Sequence, residues 1–193
     1  MKQKKTLLII ALAFAVLLGG AYALYARLGS SLTPDQLTAQ ESETEEDTAP
    51  DLFPAPDFVV YDAEGNAVQL ADHEGKPTVL NFWASWCGPC QSEMPDFQEK
   101  FLELGEEVNF VMVNMTTGRE TQEKAAAFIA EKGYTFPVFY DTAGEAVEAY
   151  GVYSLPSTYF IDAEGYAIAQ AVGAIDAETL QRGIDMIAGE EAL

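Results

Sequence analysis

Residues 77–90 read PTVLNFWASWCGPC. Residues 77–83 form a nearly continuous apolar run of strand length. A run without alternation marks a strand covered on both faces. It is followed directly by Trp86-Cys87-Gly88-Pro89-Cys90. From about residue 89 to 104 the spacing becomes helical, with Met94, Phe97, Phe101 and Leu104 along one side. Pro89 presets the first helical turn. Pro95 sits inside the helix, removes one amide from the ladder and predicts a kink.

The cysteine pair therefore stands where a buried strand hands over to a helix, and three roles compete for it. As a structural staple, Cys87–Cys90 closes a loop too short to remove much entropy from the unfolded chain. As part of a zinc site it lacks partners, because the chain has two cysteines and one histidine. As a redox pair the placement makes chemical sense. Cys87 would lie at the helix N-terminus, where unpaired amides and the helix dipole stabilise a thiolate, so it is the attacking group. Cys90, one turn further in, would be more buried and would resolve a mixed disulfide. Trp86 would cover the pair.

Working outward, residues 58–61 and 67–70 flank Asp62-Ala63-Glu64-Gly65-Asn66 and read as a hairpin. Residues 108–114 (VNFVMVN) form a second buried strand. Residues 120–132 are an amphipathic helix ended by Gly133. A short strand at 136–140 and a short helix at 144–150 follow. Strands at 157–161 and 166–172 precede a last helix over 176–188, with Asp176 as its N-cap. Interleaved strands and helices predict an α/β fold with helices on both faces of a mixed sheet.

The charge is unevenly placed. Ten basic and 31 acidic residues give a net charge of −21, which excludes a nucleic-acid binder of the usual basic type. All four charges in residues 1–28 (Lys2, Lys4, Lys5 and Arg27) are basic. Residues 6–26, TLLIIALAFAVLLGGAYALYA, are uncharged and long enough to span a bilayer as a helix, with residues 1–5 as a cytoplasmic tail. The rival reading is a cleaved signal peptide ending near Ala21-Tyr22-Ala23. In either case the remainder lies outside the membrane. Residues 27–51 carry Asp35, Glu41, Glu43, Glu45, Glu46 and Asp47 and read as an acidic flexible tether. Residues 52–193 are then the folded domain.

These residues resemble the thioredoxin superfamily, and within it the membrane-anchored TlpA/ResA-type thiol–disulfide oxidoreductases. The resemblance rests on Ala55-Pro56-Asp57-Phe58, on the run from Val79 to Cys90, on Glu93-Met94-Pro95, and on Tyr150-Gly151-Val152-Tyr153-Ser154-Leu155-Pro156-Ser157-Thr158. The helix and strand between about residues 120 and 140 resemble the insertion of this branch. The resemblance implies a thioredoxin-like fold with an N-terminal hairpin, a redox-active Cys87–Cys90 disulfide, and Gly88 and Pro89 as parts of the active-site loop. It implies that Pro156 is a cis-proline that helps dock an extended substrate. It implies that Glu93, on the cysteine face of the helix, exchanges protons with the thiols. Asn81 stands where ordinary thioredoxins carry a buried aspartate.

The implied activity is reduction of disulfides in exported proteins. Cytochrome c maturation, with apocytochrome c as substrate, is the context most often associated with the family, and other members serve different targets, including spore-envelope proteins; the sequence does not choose between them. A membrane thiol reductase would supply electrons. No cofactor and no metal is implied. Two alternatives remain. A peroxiredoxin-like peroxidase needs a threonine three residues before its reactive cysteine, where this chain has Ala84. A copper-delivery module would use Cys87 and Cys90 as soft ligands, but the single histidine, His73, falls in a loop.

Overall fold

The computed structural model of the chain describes residues 37–39 and 53–188. The strands are β1 (Leu37–Ala39), β2 (Phe53–Pro54), β3 (Val59–Tyr61), β4 (Ala67–Gln69), β5 (Thr78–Trp83), β6 (Asn109–Asn114), β7 (Val138–Tyr140), β8 (Ser157–Ile161) and β9 (Tyr166–Val172). The α-helices are α1 (Gly88–Leu104), α2 (Gln122–Lys132), α3 (Glu145–Ala149) and α4 (Ala177–Ile187). A 3₁₀ turn, Leu70–His73, follows the hairpin.

Strand β5 is buried along its whole length. It pairs in parallel with β6, with Val79 opposite Phe110 and Asn81 opposite Met112, and antiparallel with β8, with Asn81 opposite Thr158. Its alternating side chains feed two cores. Val79 and Trp83 join Met94 and Phe97 of α1, Ala125 of α2 and Leu180 and Ile184 of α4 on one face. Leu80 and Phe82 join Phe58, Val60, Leu70 and Ala146 of α3 on the other. Both faces are thus covered, which is why the sequence lacks alternation there.

The described strands form one mixed sheet in the order β1-β9-β8-β5-β6-β7-β3-β4, with β2 also on β9. Strands β5, β6 and β7 run parallel and the other pairings are antiparallel. This is the expected thioredoxin-like α/β fold, with the hairpin (β3, β4) and the inserted α2–β7 unit in place.

Several boundaries differ from the sequence reading, each for a local reason. The helix expected from residue 120 begins at Gln122, because Thr121 caps it by accepting from the Lys124 amide. The strand expected from 136 begins at Val138, after Pro137, which has no amide to give the ladder. Helix α1 is uninterrupted across Pro95. Leu37–Ala39 was expected within the tether, yet pairs antiparallel with β9, Leu37 opposite Ala171. These three uncharged residues cover part of an edge that β9 otherwise presents unpaired. The expected tail, the membrane span at 6–26 and the rest of the tether lie outside the described residues. Among the described residues no helix is long and apolar enough to cross a membrane.

Gly183 shows how closely α4 lies on the sheet. A Cβ placed there would overlap the Phe160 ring, and both residues are buried. In an exposed helix, glycine to alanine stabilises by up to about 1 kcal/mol. Here overpacking outweighs propensity, and Gly183→Ala is expected to destabilise by about 2 kcal/mol. Denaturant unfolding of the two proteins checks the sign.

Candidate redox site

Strand β5 ends at Trp83, and the next four residues reach the start of α1. The Cys87 amide donates to the Ala84 carbonyl at 3.1 Å, folding the loop back on itself. Cys87 is then the N-cap of α1, and its sulfur accepts from the Cys90 amide at 3.2 Å. The two sulfurs are joined in a disulfide with the Cα atoms 5.3 Å apart. Cys87 is 5% exposed and Cys90 0%, so the sulfur nearer solvent is at the helix terminus.

Glu93, one turn beyond Cys90, is 2% exposed. Its Oε1 accepts from Asn81 Nδ2 at 2.9 Å and its Oε2 from the Ile175 amide at 3.0 Å. Asn81 Nδ2 also donates to Thr158 Oγ1 at 3.0 Å. The Glu93 carboxyl thus joins α1 to β5 and to the segment between β9 and α4, and Asn81 extends the network to β8. Burial pushes the Glu93 carboxyl up to about 7. The hydrogen bonds from Ile175 and Asn81 oppose that rise, and the Asp96 carboxylate adds to it. A buried carboxyl that titrates near neutrality, one helical turn beyond Cys90, has the proton affinity that exchange with a thiol requires.

A second buried acid escaped the sequence reading, which placed Glu120 in a helix. Glu120 is 3% exposed and precedes the α2 cap. Its carboxylate accepts from the Ser85 amide at 2.7 Å and from the Ser85 hydroxyl at 2.8 and 2.9 Å. The Ser85 carbonyl accepts from Gln91 Nε2 at 2.7 Å. Ser85 is therefore clamped from two sides, and it lies two residues before Cys87. Recognising Thr121 as a cap would have left Glu120 in the loop and exposed the signal.

A groove of about 340 Å³ opens over Cys87. Trp86, Pro89, Met115, Tyr153 and Leu155 supply its apolar lining. Trp86 forms a wall of this groove rather than a lid: it is 40% exposed, and the Arg119 guanidinium lies 3.7 Å from its ring centroid. Gly88 also lines the groove, and a Cβ there would meet open space, so packing alone does not require glycine. The Leu155–Pro156 bond is cis. Leu155 faces the groove, whereas Pro156 is buried behind it with its carbonyl accepting from the Gly173 amide at 2.9 Å.

The structure thus brings Trp86, Cys87, Gly88, Pro89 and Cys90 together at one end of β5, with Asn81 and Glu93 beneath. His73 is not among the residues lining that groove. It ends the 3₁₀ turn with its ring 5.8 Å from that of Phe139. Among the described residues no cluster of three or more His, Cys, Asp or Glu side chains could hold a metal ion.

Comparison with known proteins agrees with this geometry. A sequence model described as the AhpC/TSA family matches residues 53–169. The thiol-disulfide oxidoreductase ResA of Bacillus thuringiensis subsp. konkukian is 37% identical over 136 residues, spanning 69% of this chain and 76% of the relative. The crystal structure of StoA from Bacillus subtilis superposes with a TM-score of 0.60 at 28% identity, over 68% of this chain and 98% of StoA. That of a DsbF homologue from Corynebacterium diphtheriae gives 0.63 at 26% identity, over 80% and 94% of the two chains.

The Glu93 environment predicts a pH signature. An unfolded glutamate loses its proton near 4.5, whereas the folded one keeps it to about 7. Between those values the folded state binds more protons, so stability falls as pH rises and levels off above about 7. The loss is on the order of 3 kcal/mol. Glu93→Gln cannot titrate, so the difference in unfolding free energy between wild type and variant should slope across pH 4.5–7. A difference that stays constant with pH would contradict the raised value.

Proposed function

The chain belongs to the AhpC/TSA family of thioredoxin-like proteins and is a thiol–disulfide oxidoreductase of the ResA/StoA type, and from that premise we propose that it reduces disulfides in exported proteins. The observation that carries the direction of attack is the pair itself. Cys87 caps α1 at the floor of an open groove, and Cys90 is fully buried behind it.

In the reduced enzyme the Cys87 thiolate, favoured by the helix N-terminus, attacks one sulfur of a substrate disulfide. A mixed disulfide forms and one substrate thiolate leaves. The Cys90 thiol then gives up its proton, with Glu93 as the acceptor, and its thiolate attacks the Cys87 sulfur. The Cys87–Cys90 disulfide forms and the second substrate thiolate leaves. Two electrons pass from the enzyme dithiol to the substrate. Asn81 holds Glu93 in place, Pro89 and Gly88 shape the helix start, and the cis Leu155–Pro156 segment and Trp86 flank the docked chain.

A membrane thiol reductase returns the two electrons. The domain acts outside the cytoplasmic membrane, carried on residues 6–26, and apocytochrome c is the exported substrate that the ResA-like resemblance favours. This placement is supported by the basic residues before the apolar run and the acidic stretch after it. The AhpC/TSA match does not favour a peroxidase reading. Ala84, three residues before Cys87, has no hydroxyl to orient a peroxide.

Two variants test the order of events. Cys87→Ser is expected to abolish disulfide reduction, whereas Cys90→Ser should accumulate a mixed disulfide with substrate, visible by mass spectrometry and released by dithiothreitol. Iodoacetamide should label Cys87 before Cys90 in the reduced protein. Faster labelling of Cys90, or trapping by Cys87→Ser instead, would reverse the assignment.

A further inference from the structure

Arg119 is the only charged residue among those lining the groove over Cys87. The chain carries 31 acids against ten basic residues, yet among the described residues no carboxylate lines this surface. Other basic side chains of the domain are engaged. Lys100 and Lys132 pair with Glu103 and Glu131. Lys76 and Lys124 bond the Glu106 and Arg119 carbonyls. Among the described residues no carboxylate lies within ion-pair distance of the Arg119 guanidinium. The neighbouring acid, Glu120, is turned inward onto Ser85.

The guanidinium is nonetheless held. Its carbon sits 3.7 Å from the Trp86 ring centroid, a cation–π contact. The N–H donors of a guanidinium lie in its plane as a fixed fork. Those donors match a carboxylate in a two-pronged bond. The Lys124 bond to the Arg119 carbonyl, 2.6 Å long, ties down the backbone beneath it. Trp86 immediately precedes Cys87, so a carboxylate bound here belongs to a residue close to the attacked sulfur.

We propose that Arg119 is a specificity-determining residue that selects substrates with a carboxylate side chain next to the disulfide-bonded cysteine. The inference rests on the disulfide-reductase reading and names the substrate class for it. The apolar lining of Met115, Tyr153 and Leu155 accommodates the rest of an extended segment, and the guanidinium reads its charge. An enzyme with a net charge of −21 repels acidic partners at long range. Arg119 supplies the local attraction at the reacting sulfur.

The test uses the full-length reduced protein and three symmetric peptide disulfides that differ only in the residue after cysteine: Glu, Gln or Lys. Each second-order rate is divided by the rate of the same peptide with dithiothreitol, which removes intrinsic reactivity. The wild-type order is Glu over Gln over Lys. The Glu-to-Gln ratio is about threefold to fivefold, the scale of an exposed charge pair, and shrinks as salt is raised. In Arg119→Gln the ratio falls to one or below, and in Arg119→Glu the order inverts and the Lys peptide reacts fastest. Arg119→Lys keeps the order, because it keeps the charge. A wild type that reduces all three peptides at one normalised rate overturns the assignment of Arg119 while leaving the reductase reading intact. So does a ratio unchanged in Arg119→Gln. A wild type that reduces none of the peptides overturns both.

Discussion

Strand β5 is hydrogen-bonded along both edges and covered on both faces, so it cannot shift by a residue without unpairing β6 or β8 and exchanging its two cores. That rigidity fixes the point at which the chain leaves the sheet. Four residues later α1 begins, with Cys87 at its cap. The positions of both sulfurs, and of the groove above them, follow from where β5 ends. Loop residues alone would leave the pair free to wander. Here the Ala84 carbonyl, the Glu120 carboxylate and the Gln91 amide each hold one part of the connection.

The same strand carries Asn81, a polar residue with no exposure, into the core. Burying an amide costs free energy wherever a hydrogen bond goes unmet. Asn81 Nδ2 donates to Glu93 and Thr158, and Glu93 in turn accepts from the Ile175 amide, while the buried Asn81 Oδ1 has no hydrogen-bond partner among the described residues. An aspartate at position 81 would place a second carboxyl against Glu93, and like charges there could not both ionise cheaply. Asparagine leaves Glu93 as the titrating group, hydrogen-bonded but desolvated enough to hold its proton to about neutrality. Function and folding pull in opposite directions at this residue, since the burial that tunes the carboxyl also destabilises its charged form.

How much of this could be read from the sequence depends on whether the signal is local. The apolar run of β5, the helical spacing after it and the cysteine pair are all contiguous, and their placement follows. The family resemblance supplied what spacing could not, namely the cis bond before Pro156 and an interest in Glu93 and Asn81. Features that depend on distant neighbours were missed. Glu120 looks like the first residue of an amphipathic helix, and only its contact with Ser85, 35 positions away, shows otherwise. Nothing local marks Gly183, whose need for glycine shows only once Phe160 is placed beneath it. The acidic context of residues 37–39 predicts a tether, and the open edge of β9 decides otherwise. Arg119 carries no pattern at all in the sequence. Its meaning comes from its contact with Trp86 and from the lack, among the described residues, of a carboxylate within ion-pair distance.

A Cys87–Cys90 dithiol that donates electrons to substrate disulfides must have a low reduction potential. Equilibration of the protein against defined dithiol and disulfide ratios gives the value. A potential close to the ~−270 mV of thioredoxin is expected, whereas a value near the ~−120 mV of DsbA would make the protein an oxidant and contradict the proposed direction of electron flow.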